Sequence, residues 1–254
     1  MAIEIKNLCK KHNDKVILDN ISLDIKDGEF VCIIGPSGCG KSTFLDMVSG
    51  LFPYDGGEIL VDGHKITGPG ADRVLMLQEA ALYPWLSVIE NVKFGMQVSG
   101  VDKKTQEERA RHYLKMVELY DFKDYRVNQL SGGMKQRVSL ARALALESKV
   151  LLMDEPFSAL DKQTKNILCD EIQNIWMQTH RTIILVTHSV EEALFFGDKV
   201  VLFDANPGRI KKIFYVDFDR PRRISDADFI EYRADILSQI REEVERIAKD
   251  EYDH

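Results

Sequence analysis

Eight consecutive residues, Gly35-Pro36-Ser37-Gly38-Cys39-Gly40-Lys41-Ser42, with Thr43 beside them, carry the most specific chemistry in this chain. They fit the phosphate-binding loop pattern at every fixed position. Glycines let a backbone wrap closely around phosphates, so that successive N–H groups and a helix N-terminus point at negative charge. Lys41 is then set to reach the β/γ-phosphates, and the Ser42 hydroxyl to ligate Mg²⁺. The pattern also needs a strand before it and a helix after it. Phe30–Ile34 predicts a short buried strand, and Thr43 through Ser49 the opening of a helix. An ordinary glycine-rich turn needs neither. The expected ligand is a nucleoside triphosphate with Mg²⁺.

A second cluster fixes the reaction type. Val150-Leu151-Leu152-Met153-Asp154-Glu155 is an apolar strand ending in two adjacent carboxylates. Asp154 can join the Mg²⁺ shell, and Glu155 can orient or deprotonate an attacking water. Phosphoryl transfer needs mainly positioning and charge neutralisation, which suits one carboxylate on the metal and one on the nucleophile. Alone, two acids at a strand end would cap a loop; the phosphate loop upstream gives them chemistry. A third cluster, Leu130-Ser131-Gly132-Gly133-Met134-Lys135-Gln136-Arg137, reads by itself as a helix N-terminal cap. No generic P-loop kinase or GTPase needs it.

With these three motifs in this order, the sequence resembles the ATP-binding cassette ATPases over about residues 1–215. The resemblance implies that Ser131, Gly132 and Gly133 lie at a helix N-terminus and bind the γ-phosphate of ATP held by an opposite subunit. It implies that Gln78, after the strand Val74–Leu77, touches Mg²⁺ or the lytic water. Ser158-Ala159-Leu160-Asp161 matches a loop that crosses the dimer interface, although it reads unaided as a helix cap. His188 matches a histidine that hydrogen-bonds the γ-phosphate; unaided it is a structural histidine. One position departs from the pattern: where many relatives stack an aromatic ring on adenine, this chain has His12. Imidazole offers less area and can titrate, so only a modest preference for ATP over GTP is expected.

The elements that must position these groups follow from hydrophobic periods. Ile3 and Ile5, Val16-Ile17-Leu18, and Ile21, Leu23 and Ile25 predict antiparallel strands at the N-terminus, and Gly56–Gly63 another strand closed by turns. From about residue 84 to 130 the period becomes helical, with Val88 and Val92, then Ala110, Leu114 and Val117. Beyond it, strands at 149–153, 182–187 and 199–203 alternate with helices at 165–179 and 190–196. Alternation of this kind implies a mostly parallel sheet covered on both faces. The expected fold class is therefore α/β: a P-loop NTPase core with an N-terminal antiparallel β subdomain and an inserted α-helical subdomain. Residues 1–215 form the expected nucleotide-binding domain. Residues 216–254 form a tail opening on Arg220-Pro221-Arg222-Arg223, then a charged helix from about 226 to 249. Its stripe of Phe229, Tyr232, Ile236, Ile240, Val244 and Ile247 predicts a packing face.

Composition narrows the partners. At 254 residues, 44% hydrophobic and 30% charged, the chain has the balance of a soluble globular protein. Its net charge of −7 argues against broad adhesion to nucleic acid. Its apolar runs fall short of the roughly 20 residues a spanning helix needs, and the N-terminus lacks a signal peptide's pattern. Any membrane link is expected to run through a partner. Cys9, Cys32, Cys39 and Cys169 form no Cys-x-x-Cys pair; Cys32 and Cys169 read as small buried hydrophobes. Cys39, inside the phosphate loop, is expected to have its thiol pKa lowered by helix N–H groups and to react with alkylating agents unless nucleotide protects it.

A single phosphate loop with a single signature implies a second ATPase subunit, identical or homologous. The segment Gln78–Val92 resembles the region where importer ATPases receive a cytoplasmic helix of a permease. There Tyr83 and Trp85 either line a groove or pack a local core. Asn206-Pro207-Gly208-Arg209-Ile210 is a turn between strands by itself; followed by Arg220-Pro221-Arg222, it resembles the end of the nitrate, sulfonate and taurine importer subfamily. These resemblances imply a peripheral ATPase on the cytoplasmic face of the inner membrane, with transmembrane permease subunits and, indirectly, an extracytoplasmic solute-binding protein. The rival readings are a soluble cassette ATPase acting on nucleic acid or ribosomes, and an exporter ATPase subunit.

Overall fold

Two hydrophobic periods, one of strands and one of helices, build the computed structural model, which describes residues 2–204, 207–224, 226, 227, 229–231, 233, 234, 237 and 238. It divides into two compact units. One runs up to Pro69 and resumes at His180; the other is Gly70–Thr179.

The first unit opens with β1 (Ile3–His12) and β2 (Lys15–Ile25), an antiparallel hairpin. Ile3, Ile5, Leu8, Ile21, Leu23 and Ile25 are buried between exposed positions, as a half-buried strand requires. β3 (Phe30–Ile34) is buried at all five positions and delivers the chain to α1 (Lys41–Ser49). β4 (Gly56–Val61) and β5 (His64–Lys65) complete an antiparallel sheet of order β2-β1-β4-β5.

The second unit holds β6 (Arg73–Met76), α2 (Val88–Val98), α3 (Lys103–Met116), α4 (Gly132–Ala145), β7 (Val150–Asp154) and α5 (Lys162–Thr179). β6 runs parallel to β7, with Arg73 opposite Val150 and Met76 opposite Met153. The helices start where the sequence supplies caps. Ser87 and Glu90 form a reciprocal capping box on α2, and Asp102 accepts from Thr105 N–H on α3. Helix α5 begins three residues before the sequence predicts, because Asp161 Oδ1 accepts from Gln163 and Thr164 N–H at 3.1 and 3.0 Å.

The chain then returns to the first unit as β8 (Thr182–Val186), α6 (Val190–Phe196), β9 (Lys199–Asp204) and β10 (Arg209–Tyr215). β3 lies between β8 and β9 and runs parallel to both, pairing Phe30 with Ile183 and Cys32 with Val200. β10 pairs antiparallel with β9 and was not among the expected strands. The segment after it is pinned by Arg222, which is 1% exposed. Its guanidinium donates to the carbonyls of Leu194, Phe195 and Gly197 at the end of α6, and to those of Val216 and Phe218. Phe229 is fully buried beside the rings of Phe195 and Phe218. The other predicted stripe positions, Tyr232, Ile236, Ile240, Val244 and Ile247, lie outside the described residues, as does Asn206.

Candidate functional site

In the first unit, β3 ends at Ile34 and the glycine-rich loop turns at once into α1. Gly35, Gly38 and Gly40 have φ of 155°, 80° and 92°; at Gly38 and Gly40 this left-handed backbone favours glycine. Gly40 occupies the N-cap of α1. No side chain caps that end, and the first turn holds no acidic residue. Its first-turn N–H groups therefore form an electropositive end with no competing oxygen from the cap side chain, which is what a phosphate requires. Lys41 is 8% exposed, and its ammonium donates to the Gly35 and Pro36 carbonyls at 2.9 and 2.7 Å. Ser42 is exposed beside it, while Ser37 and Gly38 form the loop's exposed crest.

Cys39 does not fit its expectation. Its side chain is 1% exposed and faces the protein, with Lys41 Nζ 3.7 Å from Sγ. Burial, which disfavours the thiolate, pushes its pKa up, and the neighbouring ammonium only partly offsets this. Burial thus keeps the thiol protonated and shielded, opposite to the expected lowering. Cys32 and Cys169 are buried as expected, and burial also pushes the Cys32 thiol up.

His188 follows β8 in the same unit and is exposed. The residues on either side of it are tied together. Thr187 Oγ1 donates to the Glu192 carboxylate at 2.5 Å and accepts from Ser189 N–H at 3.0 Å, and Ser189 Oγ accepts from Glu192 N–H at 3.3 Å. Thr187 and Glu192 are buried, so this small network fixes the backbone that presents His188. His12 ends β1 opposite Lys15 and is exposed.

The second unit brings Gln78 and Glu155 together: Gln78 Nε2 donates to Glu155 Oε2 at 3.3 Å. Glu155 has φ of 45°, a left-handed conformation unusual for a residue with a side chain. Asp154, one residue earlier at the end of β7, is 6% exposed. Ser131 is the N-cap of α4, accepting from Met134 N–H at 3.2 Å, and Ser131 and Gly132 are exposed. A Cβ on Gly133 would stand 3.2 Å from the Ala159 carbonyl, so the signature backbone lies close to the Ser158–Asp161 loop. Asp161, besides capping α5, has its carboxyl held below the usual range by the Thr164 and Gln163 N–H groups.

A groove of about 450 Å³ opens in the same unit, lined by residues that include Leu77, Tyr83, Phe94, Val98 and Arg142. Tyr83 packs on Phe94 with ring centroids 4.4 Å apart. Trp85 does not line this groove: it stands 66% exposed, 5.4 Å from the Tyr83 ring. Two residues that motif reading missed organise this region. Asn91, fully buried, accepts from Tyr83 N–H at 2.8 Å and donates to the Tyr83 and Ser87 carbonyls. Arg142 on α4 donates to the Ala80 and Ala81 carbonyls, and burial pushes its pKa down. The helix that begins at Ser131 thus holds the segment that follows Gln78. Neither residue carries a local signal in the sequence, because their partners are backbone groups.

The chain as a whole is similar to known proteins. The ABC transporter family model matches residues 18–158. An ABC transporter ATP-binding protein of Methanocaldococcus jannaschii is 45% identical over 248 residues, covering 96% of this chain and 93% of the relative. A nitrate import ATP-binding protein of Synechocystis is 41% identical over 265 residues, covering 98% and 100%. A taurine import ATP-binding protein of Roseobacter denitrificans is 46% identical over 201 residues, covering 79% and 75%. Among solved structures, a dimeric ATP-binding cassette in a post-hydrolysis state with ADP and Pi superposes with a TM-score of 0.77 at 32% identity, covering 85% of this chain and all of that one.

Proposed function

This chain belongs to the ABC transporter family as an ATP-hydrolysing importer subunit, and from that premise we propose that it powers uptake of nitrate, taurine, another sulfonate or a related small solute. The solute class is supported by the nitrate and taurine import relatives, which align over most of the chain. The observation that carries the nucleotide site is the uncapped start of α1, with Lys41 folded over its own loop. In this reading Gly35–Thr43 wrap the phosphates, Lys41 exchanges its two carbonyl partners for phosphate oxygens, and His12 lies against the base. Ser42 and Asp154 hold Mg²⁺ with help from Gln78, a donor set in keeping with a cation that prefers one or two carboxylates plus phosphate oxygens. The metal supplies neutralisation of phosphate charge. Glu155 directs the attacking water, and His188 donates to the γ-phosphate. Ser131, Gly132, Gly133 and Asp161 serve the nucleotide of a second ATPase subunit.

Closure of that pair follows from differential contact. A γ-phosphate touched by both subunits only in the closed pair favours closure, and its release favours opening. The groove beside Tyr83 and Arg142 receives a cytoplasmic segment of the permease, so movement of α4 reaches the membrane subunit through the Ala80–Ala81 tether. Among the described residues no helix is long and apolar enough to cross a membrane. The import relatives support our reading of the chain as a peripheral subunit on the cytoplasmic face of the membrane. We further read residues 1–215 as the nucleotide-binding domain with its helical insertion at 84–130, and the remainder as a tail.

The test is to isolate the tagged chain from detergent-solubilised native membranes and assay it in proteoliposomes. A co-eluting multi-spanning subunit whose presence raises ATP turnover, with uptake of a solute delivered by a binding protein, is the expected outcome. Recovery with ribosomes or nucleic acid instead would overturn the importer assignment and leave the ATPase intact.

A further inference from the structure

Gly208 occupies a place that the nucleotide chemistry does not explain. It lies between β9 and β10 and bridges to β2: Gly208 N–H donates to the Ile17 carbonyl at 2.9 Å, and Asp19 N–H donates to the Gly208 carbonyl at 3.0 Å. The next residue adds a tether, Arg209 Nε donating to Asp19 Oδ2 at 3.0 Å. A Cβ built on Gly208 would stand 2.2 Å from the Cys39 carbonyl oxygen, 2.8 Å from Leu18 Cδ2 and 3.1 Å from the Ile17 carbonyl oxygen. The closest of these is backbone of the phosphate loop and cannot swing aside as a side-chain tip would. The loop meets β2 at the same side chain, since a Cβ on Gly40 would also stand 2.7 Å from Leu18 Cδ2.

The consequence follows from peptide geometry. The Cys39 carbonyl and the Gly40 N–H share one planar trans peptide, so they point in opposite directions. With the carbonyl turned toward Gly208, the Gly40 N–H faces the opposite side of that peptide. We propose that Gly208 is a positioning residue for the phosphate loop: its missing side chain lets the β9–β10 turn brace the Cys39–Gly40 peptide and so fixes a donor that ATP requires. The role of the Pro207-Gly208-Arg209 segment is then to hold the nucleotide site in shape. This inference rests on the reading of residues 35–43 as the ATP-phosphate site.

The test is Gly208→Ala in the full chain, with MgATP affinity measured by titration calorimetry and stability by thermal denaturation without nucleotide. Gly197→Ala is the matched control, since its Cβ would stand 2.7 Å from the Ala193 carbonyl at the end of α6. Overpacking of this kind destabilises either protein, and only the first variant perturbs the loop. We expect Kd for MgATP to rise about tenfold in Gly208→Ala, with kcat at saturating ATP changed less than KM, and to stay within about twofold in the control. An unchanged Kd in Gly208→Ala, or an equal rise in both variants, overturns the proposal. If Gly208→Ala does not fold, Arg209→Ala, which loosens the tether and adds no atom, replaces it; a rise of about threefold is expected and an unchanged Kd overturns the proposal. Wild-type protein that binds no MgATP would instead overturn the site itself.

Discussion

Thr187→Val tests how the backbone around His188 is held. Valine has nearly the shape of threonine but neither donates nor accepts. Thr187 is 1% exposed, so water does not replace what is lost. The substitution removes the hydroxyl bond to the Glu192 carboxylate and the acceptor for Ser189 N–H. A bond to a charged acceptor contributes about 2 kcal/mol and an orphaned N–H costs about 1 kcal/mol, so a loss of about 3 kcal/mol is expected. For a chain of this size that is a fall in Tm of about 6–12 °C. Thr187→Ser keeps the hydroxyl and deletes a methyl, which costs about 1 kcal/mol. Urea denaturation without nucleotide should therefore order the proteins as wild type, serine, valine. Below the melting range, kcat of the valine variant should fall about tenfold or more while the serine variant stays near wild type, because displacing His188 would weaken the γ-phosphate contact proposed for it. A valine variant within about 0.5 kcal/mol of wild type would refute the network.

Glu155→Gln should retain MgATP binding and lose turnover by about a hundredfold or more, accumulating a dimer visible by size-exclusion chromatography with ATP. Wild-type turnover in that variant would remove Glu155 from the water-directing role. Ser131→Arg should block hydrolysis while single-subunit nucleotide affinity is retained, since the side chain obstructs the exposed helix end that we propose serves the other subunit's nucleotide. A collapse of affinity in the isolated subunit would contradict this. Cys39 and Cys32 both titrate above the ordinary thiol value of 9.0, so each holds its proton more tightly folded than unfolded. The resulting stability is fully present below pH 9 and is lost as pH rises beyond it. Peptide mapping after iodoacetamide treatment at pH 8 should show Cys39 modified only as fast as the protein unfolds, with or without MgATP; rapid labelling of the native chain would show that the thiol is accessible.

The sequence made legible what is encoded locally. The phosphate loop, the strand Phe30–Ile34 before it and the carboxylates closing β7 are contiguous, so spacing alone identifies them. β10 escaped because it is an edge strand with Arg209, Lys211 and Lys212 among its residues, where charge replaces apolar alternation. Arg222 escaped for a related reason: nothing in Arg220-Pro221-Arg222-Arg223 marks one arginine from another, yet Arg222 is buried against carbonyls. A carbonyl acceptor belongs to every residue type, so nothing in the sequence marks it. Asn91 and Arg142 were hidden in the same way. The expected lowering of the Cys39 pKa is reversed because the residue is buried, and nearness along the chain to a helix N-terminus does not reveal burial.

Carbonyl acceptors also separate the fixed parts of this molecule from the part that must exchange partners. Arg142 and Arg222 direct buried donors at backbone oxygens that neither titrate nor leave, so those tethers persist across ordinary changes of pH and salt. The Arg209–Asp19 pair is exposed enough for salt to screen it, and beside it Gly208 relies on two backbone bonds and a steric fit. Lys41 also donates to carbonyls, but they belong to its own loop. In the proposed site, exchanging neutral carbonyls for anionic phosphate oxygens turns bonds in which only the ammonium is charged into bonds between opposite charges, which strengthens each of them. Nucleotide binding can then reorganise the lysine and its loop while the arginine-held segments keep their shape, which a loop that binds and releases ATP in every cycle requires.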